Sequence, residues 1–266
     1  MPVMVDIGTG LALVGSAKLL EKLLGPTAEY LGEGVRDLTN RRIQNLRIIF
    51  QKALDRSGGQ LEKPGVVPPR VLEQIVSKGS WIEDELTAEY FGGVLSSSRT
   101  DRGRDDRASE LLSLLSRLSS YQIRGHYMAY TAIKQLYDGC GRSVDDPSER
   151  KDLRVFMPIR DVARALDLGK EEKKRFASIL EHIAHGLEKE SLLPTGNYSG
   201  KGVVVEPSVL GSQLYLWAHG RSDLRANSLL DPRVRLNVSC TVWISDRCRK
   251  AKPGEGFGET DPGRYD

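Results

Sequence analysis

Between residues 31 and 53 the apolar side chains Leu31, Val35, Leu38, Leu46, Ile49 and Ala53 recur at steps of three and four or their sums, and Ile43 and Phe50 widen the stripe. A period near 3.6 residues places them on one side of a long amphipathic helix, and that side must be buried against other apolar surface. The sequence that follows supplies it. After Ser57-Gly58-Gly59 ends the first stripe, Pro68-Pro69 opens a short helix with Val71, Leu72, Ile75 and Val76 facing inward. Ser80 and Glu83 stand in S-x-x-E order, which predicts a capping box ahead of a helix carrying Leu86, Tyr90, Phe91, Val94 and Leu95. Residues 96–106 interleave Arg99, Arg102 and Arg104 with Asp101, Asp105 and Asp106 and predict a mobile surface loop. Beyond it, Leu111, Leu112, Leu114, Leu115 and Leu118 predict one buried helix. Ile123, Tyr127, Tyr130, Ile133 and Tyr137 predict another or its continuation. Short connections between such helices favour antiparallel neighbours in a bundle.

The pattern changes near residue 150. Val155-Phe156-Met157 precedes Pro158 and a short helix over 161–166, then a helix over 171–187 and turn residues at 194–197. The β-branched run Gly202-Val203-Val204-Val205 reads as a strand, 208–219 as a helix, and 233–243 as a late strand with partial alternation. The expected class is mainly α, with an N-terminal helical bundle (1–138), a linker (139–153), a smaller α+β winged-helix-like unit (154–249) and a disordered tail (250–266).

With 266 residues and a net charge of +3, the chain is long enough for one or two cored domains and too weakly basic to declare a nucleic-acid partner from charge alone. Cys140, Cys240 and Cys248 cannot all pair within one chain and show no C-x-x-C spacing, so a cytoplasmic protein is expected. The uncharged stretch 7–17 follows Asp6 rather than a basic residue and is too short to span a bilayer. Two readings of the amphipathic segment over 11–24 stay open: it packs on the core, or it touches a membrane surface.

Chemistry-bearing groups are sparse. Gly8-Thr9-Gly10 with Gly15 lacks the ending of a phosphate-binding loop, and no G-x-S-x-G supplies a nucleophile elbow. His182 and His185 share a helix face, the spacing of two metal ligands, but no third-ligand motif accompanies them. Arg175 and His182 fit the spacing of an Arg-to-His ribonuclease motif, in which arginine holds a phosphate and histidine moves a proton near neutral pH. No catalytic, cofactor-binding or metal-ligating residue is assigned on these grounds. Arg36, Arg41, Arg42 and Arg47 on the long helix are the candidate nucleic-acid contacts. Residues 221–250 add seven basic residues against three acidic ones.

Gly25-Pro26-Thr27-Ala28-Glu29-Tyr30-Leu31-Gly32, then Arg41-Arg42-Ile43-Gln44-Asn45, Val67-Pro68-Pro69-Arg70 and Glu83-Asp84-Glu85-Leu86 through Phe91-Gly92-Gly93-Val94-Leu95, resemble the Abi-alpha family, the abortive infection alpha proteins. The leucine- and isoleucine-rich stretches 111–118 and 123–136 and the ending Ser208-Val209-Leu210-Gly211 are similar as well. The resemblance covers most of residues 20–220. It implies a bacterial, cytoplasmic protein of phage resistance and antiviral defence; separately, the absence of a convergent catalytic set leads us to expect action through a protein partner, self-association or nucleic acid. It transfers no catalytic residue. Two alternatives stand beside it: a ribonuclease-like toxin using Arg175 and His182, and a membrane-active effector using the N-terminal amphipathic segment.

Overall fold

A computed structural model of the chain describes residues 15–28, 40–194, 196–236 and 247–252. Among them the protein is mainly helical, with eleven α-helices and one four-stranded antiparallel sheet. Its contacts divide into two units, Met1–Arg117 with Trp217–Asp223, and Leu118–Leu216 with Leu224–Asp266.

The first unit is helical. Its elements are α1 (Ala17–Leu24), α2 (Asn40–Ser57), α3 (Pro69–Gln74, extended by a π turn over Ile75–Gly79), α4 (Glu85–Ser97) and α5 (Arg107–Leu115). The stripe expected over 31–53 is a helix from Asn40 onward and buries Ile43, Leu46, Ile49, Phe50 and Ala53; residues 31–39 and Arg36 lie outside the described residues. α2 pairs chiefly with α4. The two backbones approach so closely that a Cβ on Gly92 would meet the Ile49 carbonyl at 2.9 Å. In α1, Leu20, Leu23 and Leu24 are wholly buried and Leu19 is exposed, while residues 11–14 of this amphipathic segment lie outside the described residues.

Two local expectations are corrected here. Ser80 and Glu83 form no capping box, because α4 starts later: Asp84 is its N-cap and accepts from Thr87 N at 2.8 Å. Ser80 Oγ instead accepts from the Arg42 guanidinium at 2.8 Å, and Glu83 pairs with Arg41. The hydrophilic stretch 96–106 is in part interior. Ser96 and Ser97 form the buried last turn of α4, and Thr100 exchanges backbone hydrogen bonds with Val66 at 2.8 and 3.0 Å.

In the second unit the elements run α6 (Ser120–Tyr137), α7 (Pro147–Arg150), β1 (Val155–Pro158), α8 (Ile159–Ala165), α9 (Lys170–Lys173), α10 (Phe176–Lys189), β2 (Gly196–Ser199), β3 (Gly202–Val205), α11 (Val209–Ala218) and β4 (Arg249–Lys250). The expected domain boundary lay at 139–153, whereas the contacts assign α6 to this second unit. The capping geometry lies here, at the start of α6, where Ser119 and Gln122 satisfy each other's backbone amides. The sheet order is β2-β3-β1-β4. β3 is central, with Val205 opposite Val155 on one side and Gly196 on the other. Buried Val203 and Val205 of the sheet, Leu180, Ile183 and Leu187 of α10, and Met128 of α6 line an apolar cavity of about 30 Å³. Residues 233–236 are not a strand, and the rest of the expected late strand, 237–243, lies outside the described residues. Arg249 and Lys250, expected at the edge of a disordered tail, pair with β1; residues 253–266 lie outside the described residues.

Candidate functional site

Three of the four arginines expected to contact nucleic acid are described, and they face different ways. Arg41 is largely exposed and bridges to Glu83 at 2.6 Å. Arg42 reaches Ser80 Oγ and lies over the Trp81 ring at 4.3 Å, while Asn45 Nδ2 donates to the Ser80 carbonyl at 2.9 Å. This arginine organises the turn before α4. Arg47 lies six residues beyond Arg41, about 240° further around the helix at ~100° per residue, and touches Gln44 Oε1 at 3.3 Å. These cations do not form one phosphate-facing stripe. Further along α2, buried Glu89 of α4 takes Lys52 Nζ at 2.5 Å and Arg56 Nη2 at 2.6 Å. Burial opposes the Lys52 charge, but Glu89 and Glu85 outweigh it and hold the ammonium above its ordinary range.

In the second unit, the approach to α10 is a cationic stretch, with Lys170, Lys173, Lys174 and Arg175 within six residues. The single helix expected over 171–187 is two helices, because Arg175 leaves helical backbone geometry at φ −109°, ψ 19°. Glu172 bends back to accept from Gly169 N at 2.6 Å and also accepts from the Tyr121 hydroxyl. Those hydrogen bonds, the Tyr121 one foremost, hold its carboxyl below the usual range, and the Arg175 charge adds to the effect. Lys174 pairs with Glu171 at 2.8 Å. Lys170 and Lys173 remain exposed without an ion pair among the described residues, and so does Lys201 at the tip of the β2–β3 hairpin. This cation set was legible as Gly169-Lys170 through Lys173-Lys174-Arg175, but a search for metal and acid–base spacings passes over it.

The exposed side of α10 carries Ser178, Glu181, His182, His185 and Glu188. His182 Nε2 lies 2.9 Å from Ser119 Oγ, and Gln122 Nε2 donates to the His182 carbonyl at 3.1 Å, so the start of α6 is tied to the middle of α10. Arg175 and His182 are separated by two helical turns, about 10 Å of rise, and contact different groups. Among the described residues no group of three or more His, Cys, Asp or Glu could hold a metal ion. No described helix is long and apolar enough to cross a membrane. Compared with known proteins, the chain matches no family model, no curated sequence and no solved structure.

Proposed function

We propose that this chain is a bacterial anti-phage defence protein of the Abi-alpha kind that works by binding rather than by chemistry, and that its second unit is a winged-helix-like module for duplex nucleic acid. The observation that carries this reading is the order α6–β1–α8–α10–β2–β3, with β3 between β1 and β2 and unpaired cations at two places. In helix-pair DNA readers the second helix enters the major groove by its N-terminal residues. Here α10 is that helix, with Arg175 as its N-cap and Lys170 and Lys173 on α9 just ahead of it in the chain. Lys201 occupies the hairpin tip, where a wing follows the phosphate backbone. The exposed α10 face, with its imidazoles, carboxylates and one serine, supplies donors and acceptors for base edges. The Abi-alpha part of the reading is carried by the sequence resemblance, and it makes duplex binding the event that couples infection to the host's response.

Fluorescence anisotropy of a labelled mixed-sequence duplex tests the binding. Four phosphate contacts give a slope of about −3.6 in log K against log salt, or roughly a 150-fold loss of affinity between 50 and 200 mM. Replacing Lys170, Lys173 and Lys201 together with glutamine should bring the slope to about −0.9. Absence of binding at 50 mM salt, or a slope the triple variant leaves unchanged, overturns the assignment. The defence role is tested by challenging bacteria that express the chain with phage. Culture survival at low input with collapse at high input is expected, and no protection at either input refutes it.

A further inference from the structure

Trp81 stands on the turn between α3 and α4 and is 69% exposed, the most open large apolar side chain among the described residues. The backbone beneath it is fixed. Trp81 N donates to the Lys78 carbonyl at 3.2 Å and Ile82 N to the Gly79 carbonyl at 3.0 Å, while Asn45 Nδ2 donates to the Ser80 carbonyl at 2.9 Å. The ring itself lies 4.3 Å from the Arg42 guanidinium, which also donates to Ser80 Oγ at 2.8 Å. This turn follows directly on the π turn of α3, a departure from regular helix that recurs at functional sites. A large side chain ordered in advance loses little freedom when it is buried, and Trp and Arg are the residues that most often dominate binding at protein interfaces. Apolar surface continues beside it, because Ile82 and Ile48 line one groove and Ile48 is 38% exposed.

We infer that this patch is the contact between two copies of the chain related by a twofold axis. The patch carries its own complement. Arg41 and Glu83 have opposite charge, are both exposed, and bridge at 2.6 Å, each next in the chain to a residue of the patch, Arg42 and Ile82. An exposed bridge of this kind contributes little within one molecule, so exchanging its partners costs little. In a twofold contact any residue that meets a second is met by it in return, so Arg41 of each copy pairs with Glu83 of the other. The two indoles then stack with an offset, each backed by its own Arg42, and the isoleucines beside them leave water. A partner of a single charge sign would satisfy one of Arg41 and Glu83 and strand the other, whereas a second copy satisfies both. The inference concerns the first unit and does not rest on the nucleic-acid reading.

Sedimentation velocity of the full chain across a concentration series tests the contact. At the small end of interface sizes a dissociation constant on the order of 10 μM is expected, so the chain should be monomeric at about 1 μM and mainly dimeric at about 100 μM. Trp81→Ala, at an exposed position whose loss leaves the core intact, should weaken association about 30-fold. Arg41→Glu and Glu83→Arg should each weaken it about tenfold or more, and an equimolar mixture of these two variants should regain the affinity of the unaltered chain, because every contact between unlike copies again joins Arg to Glu. A chain that stays monomeric up to about 100 μM overturns the proposal in favour of a different partner. Self-association that Trp81→Ala leaves unchanged overturns it too, as does a mixture of the charge variants that binds no more tightly than either alone.

Discussion

The contact between α11 and α6 gives a sharp test of how the second unit is held together. Gly211, in the first turn of α11, lies against the Tyr130 hydroxyl of α6 and the Leu192 carbonyl; an added Cβ would fall 2.0 Å from the first and 2.3 Å from the second. Neither neighbour retreats easily. Tyr130 is wholly buried, donates to Leu192 O at 2.7 Å and accepts from Ser208 N at 2.8 Å. Relieving the carbonyl contact to an ordinary 3.4 Å requires a shift of 3.4 − 2.3 = 1.1 Å, enough to break the Tyr130–Leu192 hydrogen bond. Overpacking costs about 1–3 kcal/mol. The lost bond, with a buried acceptor left behind, costs about 1–3 kcal/mol more. Alanine's better helix propensity returns about 1 kcal/mol. Gly211→Ala should therefore destabilise by about 3 kcal/mol, which lowers the melting temperature by roughly 6–12 °C for a chain of this size class. Thermal and urea unfolding followed by circular dichroism would measure it, with Gly59→Ala, whose Cβ meets nothing within 4 Å, as the control. Tyr130→Phe removes the closer clash, so the double variant should lose about 1 kcal/mol less than the sum of the singles. A Gly211→Ala loss below about 0.5 kcal/mol, or strict additivity in the double variant, would refute the packing argument.

Two further outcomes follow from buried ionisable groups. Glu89→Gln leaves Lys52 and Arg56 at a buried site without their shared carboxylate, and urea denaturation should show a loss of about 3–5 kcal/mol; a loss under 1 kcal/mol would mean that Glu89 is not a structural counter-ion. Burial pushes the Tyr130 and Tyr137 hydroxyls up to about 12. An unfolded tyrosine ionises near 10, so between pH 10 and 12 the unfolded chain binds fewer protons and stability falls as pH rises. Tyr130 alone accounts for about 2–3 kcal/mol of that loss. Unfolding midpoints that stay flat across this interval would contradict it.

Periodicity alone located most of the helices. The stripe from Ile43 to Ala53, the run Leu86 to Leu95 and Tyr127, Tyr130 and Tyr137 of α6 lie on buried faces, because an apolar face at helical spacing has one way to be buried. The valines of β3 were equally readable as β-branched residues between turns. What failed were readings that depended on a side chain's choice of partner. Ser80 has the composition of a cap, yet Arg42, 38 residues away in the chain, takes its hydroxyl. Ser96 and Ser97 look like loop residues, but Ser57 Oγ lies 2.8 Å from Ser96 Oγ and Ser97 Oγ donates to the Trp217 carbonyl at 2.9 Å. The break at Arg175 was invisible for a similar reason. It follows from Glu172 reaching back to Gly169 and across to Tyr121, a contact between residues 51 apart in sequence. The candidate surface was legible as a set of cations near 170–175, but its relation to the hairpin lysine depends on strand pairing that no local pattern encodes.

The contribution of Trp217–Asp223 to the first unit sets a constraint on how the chain is made. Ser97 Oγ donates to the Trp217 carbonyl, and Ser222 Oγ donates to the Ser97 carbonyl at 2.7 Å, so the end of α4 takes its partners from a segment synthesised about 100 residues after Arg117. At 5–20 residues per second, the ribosome leaves the first unit without this segment for roughly 5–20 s. Synthesis through Asp223 is therefore a condition for finishing the earlier-made unit, and a chain interrupted before it would lack these partners of Ser97.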